Sequence, residues 1–198
     1  MDIRSFLFEK RSYTPIPIVL IVLFYSNPIY PYWVFGIFFI FFGELIRLHA
    51  VSHAGGRTRT TKVGAESLCT SGPYSRTRNP LYIGNLIIYS GVVLLSGGVY
   101  LIPLFFLVLF YFVFQYSMIV SLEEEKLLKL FGKDYLQYKQ NVPRIIPLIE
   151  PWHNNTKREP STFLKTLKTE KRTLQNIFLT ILIISSKQFL KNLELYLN

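Results

Sequence analysis

The chain has 198 residues, of which half are apolar and 16% are aromatic, while only 17% are charged. A water-soluble domain normally has about a quarter of its residues charged, so the low charged fraction favours a membrane protein. The high apolar fraction excludes the disordered and collagen-like classes. With one cysteine, Cys69, the chain forms no intrachain disulfide, and its net charge of +10 fits lysines and arginines at a lipid surface better than nucleic-acid binding.

Two long tracts of the sequence contain no charged residue. They cover residues 14–43 and residues 81–122. At about 1.5 Å per residue, each tract is too long for one helix across a hydrocarbon core of roughly 30 Å, so each should contain at least two spans. The remainder is too short and too polar for a second core. We therefore predict an all-α, polytopic membrane bundle in which residues 1–198 form one domain.

The first uncharged tract predicts a helical hairpin. Ser26-Asn27-Pro28 and Pro31 break helices and start turns, which divides the tract into a short span near residues 13–25 and a longer span near residues 32–49. No signal-peptide cleavage site follows the first span, so we read it as uncleaved. Basic residues flank the outer ends of the hairpin but not its tip, which predicts cytoplasmic ends; they are Arg4, Lys10, Arg11, Arg47, Arg57, Arg59 and Lys62.

The second tract predicts another hairpin with the same orientation. Ser96-Gly97-Gly98 divides it into a short span at residues 82–95 and a long span at residues 99–120. Its tip is uncharged and its outer ends are basic, which again places those ends in the cytoplasm. The basic positions are Arg76, Arg78, Lys126, Lys129, Lys133, Lys139 and Arg144.

The C-terminal segment, residues 161–193, regains helical character after a polar stretch. Its most apolar run covers residues 177–184. This run is shorter than the roughly 18 residues of a typical span, so a fifth span and a helix in the membrane interface are both open. We favour the span.

Three consecutive glutamates follow the second hairpin, and helical spacing separates them. Glu125 has Lys129 four residues later, which is typical of an ion pair facing solvent. Glu124 has Leu128 at the same spacing and lies on the apolar face, with Glu123 beside it. A carboxylate at an apolar face near the membrane needs cations or donors, so Glu123 and Glu124 are candidate functional residues, with a packing role as the alternative.

Other polar residues favour structural roles. His49 and His53 are four residues apart but lack a third ligand at an obvious spacing, so we predict no metal site. Glu44 and Arg47, three residues apart, are more typical of an ion pair at a helix end than of a catalytic pair. Gly132 should stop the long helix before a short amphipathic one.

A compound motif covers about residues 72–147. It begins with Gly72-Pro73-Tyr74 and continues with Arg-x-Pro-x-Tyr-x-Gly at Arg78, Pro80, Tyr82 and Gly84. After the apolar hairpin come Glu123-Glu124, Phe131-Gly132-x-x-Tyr135-x-x-Tyr138 and Val142-Pro143-Arg144. In this order the elements resemble the isoprenylcysteine carboxyl methyltransferase family of integral membrane enzymes, which is related to the phospholipid N-methyltransferases.

The resemblance implies an enzyme that binds S-adenosylmethionine in a pocket facing the cytoplasm, with an opening toward the lipid for a hydrophobic or lipid-linked substrate. Carboxylates can accept hydrogen bonds from the cofactor's amine or ribose diol, and an arginine can bind an anionic group. By the family pattern the cofactor-binding residues are Arg78, Asn79, Pro80, Tyr82, Gly84, Glu123 and Glu124, and the catalytic residues are Arg78 and Arg144.

The sequence departs from the family pattern at two positions. Asn79 stands where a histidine is usual, and Asn85 where an aromatic residue is frequent. Asn79 can donate and accept hydrogen bonds but cannot titrate. Carboxyl O-methylation of an isoprenylcysteine is the activity that the resemblance favours, with N-methylation of a phospholipid amine as the alternative. An NADPH-dependent membrane reductase and a non-enzymatic scaffold are further alternatives, and the oligomeric state stays open.

Overall fold

The computed structural model describes residues 2–54, 64, 67–153 and 158–197. These residues form six α-helices and no β-strand, which confirms the all-α class: α1 (Ile3–Glu9), α2 (Pro15–Phe24), α3 (Tyr32–Ala54), α4 (Pro80–Ser96), α5 (Leu101–Asn141) and α6 (Phe163–Leu197). A short 3-10 helix, Gly72–Ser75, precedes α4. The basic positions Arg57, Arg59 and Lys62 lie outside the described residues.

The two predicted hairpins correspond to α2 with α3 and α4 with α5. Helix α4 packs against α5 as expected, whereas α2 packs against α4 rather than mainly against α3. The hairpin tips meet, because the Asn27 amide donates to the Ser96 carbonyl at 2.7 Å and Asn27 forms an isolated bridge with Gly97. This contact confirms that both hairpins point the same way. α3 and α5 are long and apolar enough to cross a membrane, while α2 and α4 are shorter apolar helices.

Helix α5 continues well past the predicted end of its span at residue 120 and carries the glutamates beyond the apolar part. At Gly132 the backbone has φ 48° and ψ −114°, a conformation outside the helical region, and the helix bends there. Glycine adopts such a positive φ readily because it has no Cβ. The break predicted at Gly132 is confirmed as a kink, after which the helix runs on to Asn141.

Glycines bring α3 and α4 into close contact. A Cβ added at Gly84 would lie 2.9 Å from the Gly43 carbonyl oxygen, and one added at Gly91 would lie 2.8 Å from the Gly36 carbonyl oxygen. Close approach through small residues is typical of helix pairs in membranes. The contact fixes the position of α4 along α3, and α4 carries several candidate site residues.

The short helix α1 is not predicted by the apolar pattern of the sequence. Asp2 caps it by accepting from the Arg4 amide at 3.0 Å, and Phe8 is buried against the main core. The Arg4 side chain reaches Glu125 on α5 at 3.2 Å. Helix α1 therefore ties the N-terminal segment to the run of glutamates.

Large aromatic side chains are exposed along the apolar helices. Phe38 and Phe41 on α3 are 61% and 63% exposed, and Phe110 on α5 is 75% exposed. Rings displayed outward from apolar helices suit contact with lipid, since water would disfavour so large an apolar surface. This surface and the two long apolar helices together favour a membrane protein.

Candidate active site

The chain after α5 folds back along the chain before α4. We call residues 143–152 the strap and residues 75–79 the leading segment. Three backbone amide-to-carbonyl hydrogen bonds of 2.9 Å join them, from Arg78 to Pro143, from Leu148 to Arg76 and from Trp152 to Ser75. The two ends of the second hairpin therefore meet, as the hairpin predicts.

Glu124 lies where the leading segment, α5 and the strap come together. Its carboxylate accepts from Arg78 Nη2 at 2.8 Å and from Arg144 Nη2 at 2.5 Å, and its side chain is 8% exposed. Burial alone would raise the pKa of this carboxyl group, but the hydrogen bonds from Arg144 and Arg78 outweigh it and hold the pKa below its usual value. Glu124 thus bridges two arginines that are far apart in sequence.

The two arginines differ in how much of each is committed to the protein. Arg78 donates through Nε and Nη2 to Glu124 and through Nη1 to the carbonyls of Lys139 and Val142. The Arg78 side chain is 8% exposed, whereas that of Arg144 is 44% exposed. Arg144 is therefore the more accessible guanidinium.

Two polar side chains of the leading segment hold the strap. The Thr77 hydroxyl donates to the carbonyls of Arg144 and Ile145 at 3.2 and 3.1 Å, and the buried Asn79 amide donates to the Arg144 carbonyl at 3.0 Å. Asn79 stands where a histidine is usual in the family pattern, and its amide donates this hydrogen bond at any pH because an amide does not titrate. Sequence reasoning missed Thr77, because no local pattern announces a contact 67 residues away.

Glu123 points to a different neighbour from Glu124. The Tyr82 hydroxyl donates to Glu123 Oε2 at 3.1 Å. Burial raises the pKa of the Glu123 carboxyl to about 7, although the positive charge of Arg11 and the Tyr82 hydrogen bond oppose the rise. In the described part of the chain only Tyr82 donates to Glu123, so this carboxylate can accept further hydrogen bonds.

Glu125 makes the predicted solvent-side ion pair. Lys129 Nζ lies 2.6 Å from its carboxylate, and the Glu125 side chain is 44% exposed. Arg4 is an additional partner, which sequence reasoning missed because 121 residues separate the two. The three glutamates therefore have different environments, and the prediction for Glu125 is confirmed.

A cleft lies between α4 and α5 beside these residues. Its polar end is formed by Asn79, Tyr82 and Arg144, and apolar side chains such as Leu86 and Val113 line the rest. The Tyr82 and Tyr116 rings pack with centroids 4.7 Å apart along its wall. The remaining lining residues are Ile83, Tyr116, Ser117, Val120 and Ile145.

The structure brings most of the predicted site residues into this region, but it places two of them elsewhere. Pro80 is buried at the first position of α4, where a proline suits the start of a helix. Gly84 faces α3, because a Cβ there would lie 2.7 Å from Arg47 Cγ, and it does not line the cleft. Gly84 therefore allows the close approach of another helix, and it does not take the cofactor-binding position that the resemblance implies.

A second polar cluster lies behind α4, on α3. Arg47 donates to Asn85 and to Glu170, and its Nε lies 3.4 Å from Glu44, which confirms the predicted pair of Glu44 and Arg47. Asn85, the other departure from the family pattern, is thus a partner of Arg47. Glu170 was not singled out from the sequence, because it lies 123 residues away from Arg47.

Comparison with known proteins places the chain near two kinds of methyltransferase. A family model described as phospholipid methyltransferase matches residues 31–134. Protein-S-isoprenylcysteine O-methyltransferase of Schizosaccharomyces pombe is 34% identical over 115 residues, covering 56% of this chain and 48% of the relative. The Xenopus laevis protein of that name is 34% identical over 122 residues, covering 59% and 41%.

A third relative is protein-S-isoprenylcysteine O-methyltransferase B of Arabidopsis thaliana, 30% identical over 135 residues, which cover 65% of this chain and 66% of the relative. The matched part spans only about half the length of the first two relatives. No solved structure gives a significant match.

Proposed function

Because the chain belongs to the phospholipid methyltransferase family and is similar to protein-S-isoprenylcysteine O-methyltransferases, we propose that it transfers a methyl group from S-adenosylmethionine to the carboxylate of an isoprenylcysteine. The observation that carries this proposal is the position of Arg144. Its guanidinium is partly exposed at the polar end of an apolar cleft.

The cleft suits an acceptor that is anionic at one end and apolar over the rest. A carboxylate beside Arg144 would form a charge-assisted hydrogen bond, and an attached lipid chain would lie along the Leu86 and Val113 side. Arg78 is already engaged with Glu124 and two carbonyls, so its role here is to hold Glu124 and the strap in place.

The residues around Glu123 fit the chemistry of the cofactor. S-adenosylmethionine supplies a reactive methyl group on a positively charged sulfur. Glu123 has capacity for further donors, and a cation beside it would favour its ionised form over the protonated form that burial favours. We propose that the cofactor lies against Arg78, Asn79, Tyr82, Glu123 and Glu124, with Pro80 contributing through the start of α4 and Gly84 through the α3 contact.

The protein's own contribution to the reaction is orientation and exclusion of water. The acceptor is already a carboxylate, so methyl transfer to it requires no residue that removes a proton. Arg144 orients the acceptor, the Tyr82 and Tyr116 rings form the wall beside it, and the strap closes the polar end.

The membrane placement follows from the basic residues at the outer ends of the hairpins. We propose a multi-pass protein whose four spans α2–α5 point their tips out of the cytoplasm, with the strap and the glutamates on the cytoplasmic side. A lipid-linked acceptor would then enter from the bilayer between α4 and α5. The cofactor would enter from the cytoplasm.

N-methylation of a phospholipid amine is the second candidate, favoured by the description of the matched family. An amine must lose its proton before it attacks the methyl group. Glu123, with a pKa of about 7, is suited to accept that proton. The carboxyl acceptor is preferred because a guanidinium, rather than a carboxylate, lines the cleft.

The test is methyl transfer by the purified protein in lipid nanodiscs. Radiolabelled S-adenosylmethionine is supplied with a prenylcysteine analogue or with an aminophospholipid, and incorporation into the prenylcysteine is expected. Arg144→Ala should lower kcat/KM for that acceptor roughly ten- to a hundredfold, since a charged hydrogen bond contributes about 1.5–3 kcal/mol. Lys133→Ala, which removes a basic residue elsewhere on α5, is the matched control.

Two results would count against the proposal. Incorporation into the aminophospholipid alone would favour N-methylation. Binding of NADPH without binding of S-adenosylmethionine would exclude both transferase activities.

A further inference from the structure

Helix α6 is attached to the bundle near both of its ends. At its start, the Ser161 amide donates to the Ser52 carbonyl at 2.7 Å, and further on Glu170 pairs with Arg47 of α3. Toward its far end, Lys187 Nζ donates to the carbonyls of Leu23 and Phe24 at 2.8 and 3.1 Å. Those carbonyls end α2, close to the hairpin tips.

These contacts show that α6 runs antiparallel to α3 over the height of the bundle. The helix from Glu170 to Lys187 is about 25 Å long at about 1.5 Å per residue. It begins beside the end of α3 that leads toward the site and reaches the level of the hairpin tips. A helix lying in the membrane interface at one end of the bundle could not reach both Arg47 of α3 and the carbonyls that end α2.

The part of α6 between these attachments has a central run, residues 177–184, that is predominantly apolar on both faces, and exposed Gln175, Asn176, Ser185 and Ser186 flank this run. From residue 173 to residue 186 there is no charged side chain. Ile177, Ile181 and Ile184 pack into the main core. The opposite face carries Phe178 and Leu182, which are 68% and 52% exposed.

An apolar outer face distinguishes the two alternatives that the sequence leaves open. A helix in the membrane interface is expected to have a charged or polar outer face. A helix that is apolar all round is instead typical of a membrane span or a fully buried core helix. Phe178 and Leu182 on α6 expose apolar surface in the same way as Phe38 and Phe41 on α3.

The charged residues of α6 that enter the bundle have partners there. The Glu170 side chain is 1% exposed and lies against Arg47, whose side chain is 11% exposed. Lys187 supplies positive charge to the C-terminal carbonyls of α2, where the helix dipole favours a cation. Charges within a membrane are tolerated when they are paired in this way.

We propose that α6 crosses the bilayer as a fifth span, with its Phe178 and Leu182 face against lipid acyl chains and with the Arg47–Glu170 ion pair inside the membrane. Its far end then lies on the opposite side of the membrane from the strap. The proposal does not depend on the proposed function, and α6 lies outside the segment that the family model matches.

The first test compares the accessibility of single cysteines after Cys69 is replaced by alanine. Leu190→Cys marks the far end of α6, Val99→Cys marks a hairpin tip, and Ile149→Cys marks the strap; all three positions are exposed. In sealed vesicles with an impermeant maleimide, Leu190→Cys should react together with Val99→Cys and opposite to Ile149→Cys. Reaction of Leu190→Cys on the same side as Ile149→Cys would overturn the proposal.

The second test measures the ion pair by thermal unfolding in detergent. Glu170→Gln should lower Tm by at least about 5 °C, because it leaves Arg47 buried without this carboxylate. Lys171→Gln, at the next and exposed position, should change Tm by less than about 1 °C. Equal and small shifts in both variants would show that the pair does not hold α6 in place.

The third test asks what covers the outer face. A spin label at Leu182→Cys should report acyl-chain contact through fast relaxation by oxygen and slow relaxation by a water-soluble nickel complex. Accessibility to nickel would place the face in water. Disulfide-linked dimers of the same variant in the membrane would assign the face to a second copy of the chain, and either result would overturn this assignment.

Discussion

At the scale of single residues, Glu123 and Glu124 have different roles, although their neighbouring positions in the sequence suggest a shared one. Glu124 is occupied by Arg78 and Arg144, so its carboxylate mainly joins two segments of the protein. Glu123 accepts only from Tyr82 among the described residues and keeps capacity for a ligand. Helical spacing places both glutamates on the apolar side of the helix, but it does not predict which arginines fold back to meet them.

Glu124→Gln should destabilise the protein and loosen the strap. The variant weakens hydrogen bonds from two arginines, each contributing about 1.5–3 kcal/mol when the acceptor is charged, and we expect weaker S-adenosylmethionine binding as a result. Thermal unfolding in detergent and cofactor titration measure the two effects. Glu125→Gln, whose partners are Lys129 and Arg4 at the surface, is the control and should change neither. Similar effects of both substitutions would argue against the bridging role of Glu124.

Glu123 should make the stability of the protein depend on pH. Burial raises the pKa of its carboxyl group from 4.5 to about 7, so between these values the folded protein holds a proton that the unfolded chain has released. The free energy of unfolding should therefore decline, on account of this residue, as the pH rises from about 4.5 to about 7, and level off above.

The measurement is the Tm of the wild-type protein and of Glu123→Gln, without cofactor, from about pH 5 to about pH 8. Glutamine stays neutral, so the Tm of Glu123→Gln should rise relative to that of the wild type as the pH rises to about 7. A difference in Tm that is constant with pH would show that Glu123 titrates normally.

At the scale of secondary-structure elements, the contact between α3 and α4 depends on what glycine lacks. Gly36 and Gly43 are seven residues apart on α3, as are Gly84 and Gly91 on α4. This matched spacing was available in the sequence as a signal of helix packing. The motif around Arg78 favours a site role for Gly84 instead, because the motif carries no information on which helix packs against α4.

Gly91→Ala should separate α3 from α4 and destabilise the bundle. The new Cβ would lie 2.8 Å from the Gly36 carbonyl oxygen and 2.8 Å from the Ile40 amide nitrogen, and neither backbone atom can move aside alone. Overpacking of this kind typically costs about 1–3 kcal/mol, which corresponds to a Tm lower by roughly 2–12 °C. Ser90→Ala, at the preceding position, is the matched control. An unchanged Tm for Gly91→Ala would contradict the close contact.

The element boundaries show what apolar patterning can and cannot predict. The hairpins at residues 13–49 and 82–120 were predicted well, because prolines and glycines mark their turns and charges mark their ends. Helix α1 was missed since it has only seven residues and depends on Phe8 packing against distant helices. The sequence predicted a stop at Gly132 with a second short helix after it, whereas α5 runs on to Asn141 across a kink, because glycine can take a positive φ without ending the helix.

At the scale of the whole molecule, both hairpin tips lie together at one end and the candidate site lies at the other. Local sequence patterns predicted this arrangement through the distribution of basic residues. They could not predict the pairs that close the site, such as Thr77 with the strap or Arg47 with Glu170, because those contacts join segments 67 and 123 residues apart.

The orientation of the molecule in the cell can be tested with exposed cysteines at the two ends of the bundle. In intact cells that express the chain without Cys69, Tyr30→Cys at the first hairpin tip should react with an impermeant reagent added outside. A cysteine at Ile149 should react only after the membrane is permeabilised, because the basic flanks retain the strap in the cytoplasm. The reverse pattern would mean that the bundle is inserted the other way.

The ion pair between Arg47 and Glu170 also bears on how the molecule is made. A ribosome completes Arg47 before it has added the 123 residues that lead to Glu170. At ~5–20 residues per second, this interval is about 6–25 s. In that time Glu44 and then Asn85 become available to Arg47, and the glycines of α3 and α4 can meet. Helix α6 is synthesised after α1–α5 and supplies the Glu170 carboxylate, so assembly can follow the order of translation.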